Sequence, residues 1–239
     1  MTDFVQLWVY LASTPLFGLT ATLCVYVAVH AAYDRLGRAP WANPVLWSVV
    51  ALGAVLVATA TPYPSYFAGA QFVHFLLGPA VVALAWPLWQ RRVELRRRAV
   101  ALNVAALAGG TSAAASAFAL AWALDLPADV SRSLLPKSVT APVAMGIAER
   151  IGGVPALAAV FAVLTGMVGA VSAKVLFDAL GIRDWAVRGF ALGTASHGIG
   201  AARALQVDAD AGAYAGIALG LQVLWASLLI PLVATLWRA

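Results

Sequence analysis

Charge is what this sequence has least of. Of 239 residues 10% are Asp, Glu, Lys or Arg, while 63% are hydrophobic. So little polarity cannot clothe a water-exposed surface of that size, which excludes an ordinary soluble domain and leaves an integral membrane protein. The 15 basic residues outnumber the 10 acidic ones, but they fall in short clusters between apolar runs. That is how topology signals are laid out, and it excludes the continuous basic stripe of a nucleic-acid binder. Cysteine is nearly absent: Cys24 stands alone in an apolar run, so disulfides, thiolate metal clusters and redox pairs are excluded. Three scattered histidines build no metal site. No GxSxG elbow, HExxH, phosphate-binding loop or carboxylate pair on one helix face is present, so no enzyme and no cofactor are expected. The amino-terminal Met-Thr-Asp carries no basic region, and the apolar run behind it is too long for a signal-peptide core. It reads as a retained first span.

Long apolar runs are what the chain does have. A bilayer core of about 30 Å asks for about 20 apolar residues per helix. Runs of that order lie at 4–33, 43–61, 68–90, 100–124, 154–180 and 211–237, predicting about six long transmembrane helices. The third is interrupted at Gly78-Pro79, where a kink or break is expected, and the Thr-Pro-Tyr-Pro-Ser-Tyr before it reads as a turn. Two further stretches are short and polar, 131–150 and 189–205, and read as broken or re-entrant helices. The expected fold is therefore an all-α polytopic membrane protein forming a single domain over 1–239. Six of the nine tryptophans, Trp8, Trp41, Trp89, Trp122, Trp185 and Trp237, fall near predicted interfaces, where indoles form belts.

Basic residues in short loops place 34–40, 91–98, 181–188 and Arg238 in the cytoplasm, with the amino terminus and the acidic loops 125–129 and 208–210 outside. This map requires 131–150 to enter and leave on one side. Laying residue 43 over residue 158 matches runs of similar length and puts Leu77-Gly78 on Leu192-Gly193. By the charge rule the matched helices run oppositely, the sign of an inverted repeat with halves of about 1–120 and 121–239.

Two constellations carry chemistry. In Pro136-Lys-Ser-Val-Thr-Ala-Pro142, a lysine at bilayer depth costs about 2.5 to 3.5 kcal/mol on insertion scales and needs a partner, a wet cavity or a task. Pro136 favours a helix starting near Lys137, which would aim free amides, the Ser138 and Thr140 hydroxyls and one ammonium at a common point. Such a point holds an anion; the alternative is a lysine snorkelling to the headgroups. Glu149 and Arg150 read as a local pair, with proton coupling as a second role for Glu149. In Gly193-Thr-Ala-Ser-His-Gly-Ile-Gly-Ala-Ala-Arg203, helical spacing puts Ser196, Gly200 and Arg203 on one face. Thr194 and Ser196 offer hydroxyls, His197 can carry a proton, and Arg203 can fork a carboxylate. The Gly216-to-Gly220 GxxxG is expected to pack a neighbouring helix or a second subunit.

Leu76-Leu-Gly-Pro-Ala-Val-Val-Ala-Leu-Ala-Trp-Pro-Leu-Trp89, Pro136-Lys-Ser-Val-Thr-Ala-Pro-Val-Ala144, Gly152-Gly153 and Leu192-Gly-Thr-Ala-Ser-His-Gly-Ile-Gly200 together resemble the LrgB family, which includes CidB and the membrane part of the plastidic glycolate/glycerate translocator. The resemblance runs from Asn43-Pro44 to the final helix. It implies an inner-membrane protein described as antiholin-like, regulating murein hydrolases and autolysis, and also transport of small carboxylates, often beside a small LrgA- or CidA-type subunit. The chain departs from the family pattern at Ala141 and Ala201, where threonines are usual, and at Gln206, where a glutamate is usual. The expectation is a secondary transporter of glycolate-, glycerate-, pyruvate- or lactate-type monocarboxylates. Its alternative is an antiholin-like regulator. Substrate would bind at Lys137, Ser138, Thr140, Thr194, Ser196 and Arg203, with His197 or Glu149 coupling protons, in a protein expected to form homo-oligomers.

Overall fold

The computed structural model describes residues 15–42, 44–76, 79, 82, 85–90 and 92–238. Every regular element among them is a helix, so the all-α expectation holds. Among the described residues four helices are long and apolar enough to cross a membrane, where the sequence reading was about six. Chain contacts divide the protein into Met1–Ala83 and Leu84–Ala239.

In the first unit α1 spans Pro15–Arg35, a 3₁₀ turn spans Pro40–Ala42, α2 spans Pro44–Ala58 and α3 spans Tyr63–Phe75. Helix α1 packs on both α2 and α3. Gly18 allows the α1–α3 approach, since a Cβ there would run into the Tyr66 carbonyl and stand 2.9 Å from Ala70 N. Thr22 Oγ1 donates 2.6 Å to Gly18 O, so Tyr66 OH supplies the proton of the 2.7 Å bond between the two hydroxyls. Helix α2, at 15 residues, is about 22 Å long and falls short of the bilayer core. Of the stretch read as a turn before Ala68, Thr61 and Pro62 connect α2 to α3, and 63–66 form the first turn of α3. Pro64 is tolerated there because its missing amide is one a helix start leaves unpaired anyway. Gly78, where a break was expected, lies outside the described residues.

The second unit opens with two short helices, α4 (Ala85–Gln90) and α5 (Arg92–Arg97), followed by α6 (Ala99–Ala123), α7 (Ala128–Leu134) and α8 (Ala141–Ile151). Then come α9 (Pro155–Ala179), α10 (Trp185–Val207) and α11 (Ala209–Arg238). Helices α6 and α11 run parallel. Tyr214 OH donates to Glu94 just before α6, Gln222 Nε2 to Ala106 O, and Trp225 Nε1 to Asn103 Oδ1 at 3.0 Å. Polar side chains of this kind hold helices together where lipid offers no hydrophobic drive.

The stretch 131–150 forms a hairpin. Ser133 Oγ accepts from Val154 N at 2.7 Å while donating to Asp129 O at 2.6 Å, so the chain leaves and returns at one level. Between those points 135–139 forms successive turns, and α8 brings the chain back. The helix expected near Lys137 therefore begins four residues later. Pro142, not Pro136, sits in its first turn, with Thr140 at the N-cap and Lys137 in the turn itself. Gly152, at φ 78, closes α8.

A second hairpin hides in α10. His197 has φ 41 and ψ −134, a non-helical break within the stretch. A Cβ on Gly200 would stand 2.7 Å from the carbonyl oxygen of Leu192. Eight residues of straight helix would separate the two by about 12 Å. The chain thus reverses at His197, and arm 198–207 packs back on arm 185–196. A Cβ on Gly189 or Gly193 would collide with the backbone of Ala211 or Ala215 respectively, so the outgoing arm runs beside the start of α11. This corrects two expectations. The polar stretch 189–205 is broken, as the sequence reading allowed, within a longer element, 185–207; because that element does not cross, the acidic 208–210 lies at the arginine-rich end beside α5, opposite 125–129, and not on the far side as expected. Since α6 and α11 are parallel, the overlay of residue 43 on residue 158 does not pair oppositely directed helices there.

Candidate functional site

The two hairpins enter the second unit from opposite ends and meet on α9. All five buried residues of α9, Ala158, Ala162, Gly166, Ala170 and Ala173, are alanine or glycine. On this smooth face Val139 and Ala144 of the first hairpin pack against Ala158 and Ala162. The second hairpin seats its tip one turn along. A Cβ on Gly166 would stand 2.9 Å from His197 Cε1, and one on Gly169 would collide with Ser196 Oγ. Ala162 and Gly166 lie near the middle of a 25-residue, membrane-length helix, which sets both tips near the bilayer midplane. A Cβ on Gly198 would be 3.8 Å from Thr140 Cγ2, so the tips face one another across van der Waals distance.

The His197 ring is fixed by a 2.7 Å bond between Nε2 and Ala162 O. A carbonyl can only accept, so Nε2 carries the proton. The backbone of His197 occupies a region that L residues seldom adopt, at a cost of order 1–3 kcal/mol.

Three hydroxyl oxygens at the tips, Ser138 Oγ, Thr140 Oγ1 and Ser196 Oγ, are buried without a hydrogen-bond partner. Ser138 is 7% exposed and Ser196 1%. An unpaired buried hydroxyl costs about 1–3 kcal/mol, so three together mark a place that expects a polar occupant. Thr140 is the N-cap of α8 but makes no side-chain cap bond, so the amides of the first turn lack that partner. Lys137 is half-buried in the turn and forms no ion pair among the described residues. Neither 134–144 nor 190–202 contains an acidic residue. One ammonium and two helix N-termini without a counter-charge are suited to an anion.

The other residues named from the sequence lie elsewhere. Thr194 is buried on the opposite side of the outgoing arm, its hydroxyl donating 2.8 Å to Phe190 O and its methyl lying against Gly109 of α6. Ser196 and Gly200 do adjoin, through the reversal rather than through one helical face. Arg203 is in the returning arm, partly exposed and about 9 Å along it from His197. Glu149 and Arg150 are exposed at the far end of α8 and form no ion pair with each other. Gly166, Gly169 and the Ala162 carbonyl escaped sequence reasoning. A cavity of about 540 Å³ opens between α6, α7 and α11, lined by Gly110, Phe118, Arg132, Gln222, Trp225 and Ile230 among others, and reaches Leu135 but not Lys137, Ser138, Thr140 or Ser196. Among the described residues no group of His, Cys, Asp or Glu side chains could hold a metal.

The model of the LrgB-like family matches residues 22–236, which include both hairpins. The chain belongs to the LrgB-like family. Among the relatives of this LrgB-like protein, the uncharacterized protein YxaC of Bacillus subtilis is 33% identical over 217 residues, covering 91% of this chain and 94% of its own. The holin-like protein CidB of Staphylococcus epidermidis is 28% identical over 216 residues, covering 90% and 94%. That of Staphylococcus aureus strain Mu50 is 28% identical over 198 residues, covering 83% and 86%. No solved structure matches the chain.

Proposed function

We propose that this LrgB-like protein is a carrier that binds a small monocarboxylate between its two hairpin tips. The observation that carries the reading is that both tips, which approach each other at Thr140 and Gly198, hold buried hydroxyls without a partner, Ser138 and Thr140 on one and Ser196 on the other. Lys137 and the first-turn amides of α8 neutralise the carboxylate, and Ser138, Thr140 and Ser196 hold its remaining oxygens. A two- or three-carbon acid of the glycolate, glycerate, lactate or pyruvate type offers little apolar surface, so charge and hydrogen bonds supply its recognition. Arg203 and Thr194 stand away from that point and are left out of the binding set. His197, the titratable group of the second tip, is the residue through which proton coupling would run; Glu149 is too far along α8. In this reading α6 with the first hairpin and α9 with the second form an inverted repeat, the layout in which broken helices meet at the midplane. The arginine-rich end faces the cytoplasm and the amino terminus lies outside, in a plasma membrane.

Uptake of labelled glycolate, glycerate, lactate and pyruvate into liposomes holding the purified protein tests this, with Lys137→Ala beside it. Saturable uptake that the variant loses while remaining folded is the expected result, and undiminished uptake by Lys137→Ala would sink it.

The name holin-like, carried by the CidB relatives, favours a second reading. Here the protein is an antiholin-like regulator of murein hydrolase export, acting with a small holin-like membrane subunit. The cavity between α6 and α11 would receive a partner's helix, and the Gly216–Gly220 face would support homo-oligomers. This reading expects no flux from folded protein alone, and flux or lysis control only after the small subunit is added.

A further inference from the structure

Helix α5 is six residues long and cannot cross a bilayer; it lies immediately before the membrane-length α6. Arg92, Arg96, Arg97 and Arg98 are all exposed there. Among the described residues the side chains of Arg96, Arg97 and Arg98 make no hydrogen bond or ion pair, and the Arg92 guanidinium stacks 4.8 Å over the Trp89 ring while donating 3.1 Å to Trp89 O. The preceding α4 presents Trp86 and Trp89, each about 60% exposed, and α5 adds exposed Val93. Free guanidinium groups next to bare indoles match the boundary of a membrane, where the rings sit at headgroup level and the charges meet phosphate. The glutamate of this segment is turned to protein, since Glu94 accepts from Tyr214 of α11. Tyr214 adjoins Ala211 and Ala215, the two positions against which the second hairpin rests Gly189 and Gly193.

We propose that α4 and α5 form a binding site for the headgroups of anionic phospholipids, and that occupancy of this site is passed through Glu94 and Tyr214 to the base of the second hairpin. Guanidinium is suited to bidentate phosphate contacts, and the neighbouring indoles and Val93 hold the segment at the depth where the phosphates lie. The site is distinct from the hairpin tips and does not depend on the transport reading. Each basic residue near an anionic surface strengthens partition about fivefold, so three act together on the order of a hundredfold.

The test uses the full chain in neutral detergent, titrated with phosphatidylglycerol, phosphatidylcholine or inorganic phosphate and followed by native mass spectrometry. Phosphatidylglycerol should bind at least tenfold tighter than phosphatidylcholine, more weakly as salt rises. The preference should vanish in the Arg96→Gln, Arg97→Gln, Arg98→Gln variant and survive in Arg35→Gln, Arg150→Gln, Arg183→Gln, which loses equal charge elsewhere. Preference retained in the first variant, or lost equally in both, overturns the site; so does equal competition by inorganic phosphate, which would mark a free-oxyanion patch. For the relay, maleimide labelling at Leu205→Cys in a Cys24→Ser background should slow severalfold in phosphatidylglycerol. It should not slow when Tyr214→Phe is added, although that variant should still bind the lipid. Slowing that persists with Tyr214→Phe overturns the relay.

Discussion

His197 and Ala162, 35 residues apart in sequence, are joined by a 2.7 Å hydrogen bond from Nε2 to the carbonyl oxygen, which pins the tip of the second hairpin to the middle of α9. The same histidine holds φ 41, a conformation natural to glycine. Two replacements therefore separate ring from backbone. His197→Gly loses a bond worth about 0.5–1.5 kcal/mol but relieves strain of about 1–3 kcal/mol, so its stability should equal or exceed that of the native protein. His197→Ala loses the bond and keeps the strain, and should be less stable by about 1–2 kcal/mol. Thermal unfolding in detergent reads the order. Alanine more stable than glycine would show that the reversal at His197 is not strained.

The tip hydroxyls invert the usual expectation for buried polar groups. Ser138, Thr140 and Ser196 have no partner to lose. Ser138→Ala, Thr140→Val and Ser196→Ala should thus leave unfolding within about 0.5 kcal/mol of native or raise it, because an unsatisfied oxygen is removed. Under the carrier reading each should weaken monocarboxylate binding by roughly two- to tenfold, the value of one hydrogen bond. Equilibrium binding measured beside thermal unfolding checks both. A loss of stability of about 2 kcal/mol in these variants would mean that the hydroxyls support the fold instead.

Much of this organisation was legible in the sequence, and the rest was hidden for definable reasons. Long apolar runs closed by charge located α1, α6, α9 and α11, although residues 4–14 of the first run lie outside the described structure. The polar stretch after Asp125 was marked as broken or re-entrant, because Lys137 with flanking prolines has no place in a plain span. The second stretch, 189–205, was marked as broken or re-entrant too, but its reversal was not located. It is made at one residue, a histidine where glycine is the ordinary signal, and helical sequence continues on both sides. That concealment reversed the reading of everything after it, placing 208–210 at the wrong end. The α9 seat was in view as small residues at Ala158, Ala162, Gly166 and Ala170, four apart, a pattern that marks close packing without naming the partner.

Close packing at the hairpin base predicts a contrast among glycines of one unit. A Cβ on Gly193 would collide with the Ala215 backbone, and the helices must part to admit it. Gly193→Ala should cost about 1–3 kcal/mol, the usual range for overpacking. Gly146 in α8 has nothing within 4 Å of its missing Cβ, so Gly146→Ala should stabilise by up to about 1 kcal/mol through helix propensity alone. Denaturant or thermal unfolding of both variants under one condition measures the difference. Equal effects would mean that the arm 185–196 does not lie against α11.

Sidedness tests the hairpins directly. If 131–150 enters and returns on one face, Ala128→Cys and Gly152→Cys in a Cys24→Ser background must both label with an impermeant maleimide from that face. If 185–207 also returns, Ala209→Cys must label from the opposite face together with Val93→Cys, because α6 and α11 run parallel from that end. A single crossing at 185–207 would instead bring Ala209→Cys to the face of Ala128→Cys. The four positions thus separate the two hairpins: disagreement between 128 and 152 removes the first, and agreement between 128 and 209 removes the second. Either result would also dismantle the meeting of tips on which the anion site depends, since a chain that crosses at one of these segments cannot return its polar turn to the middle of α9.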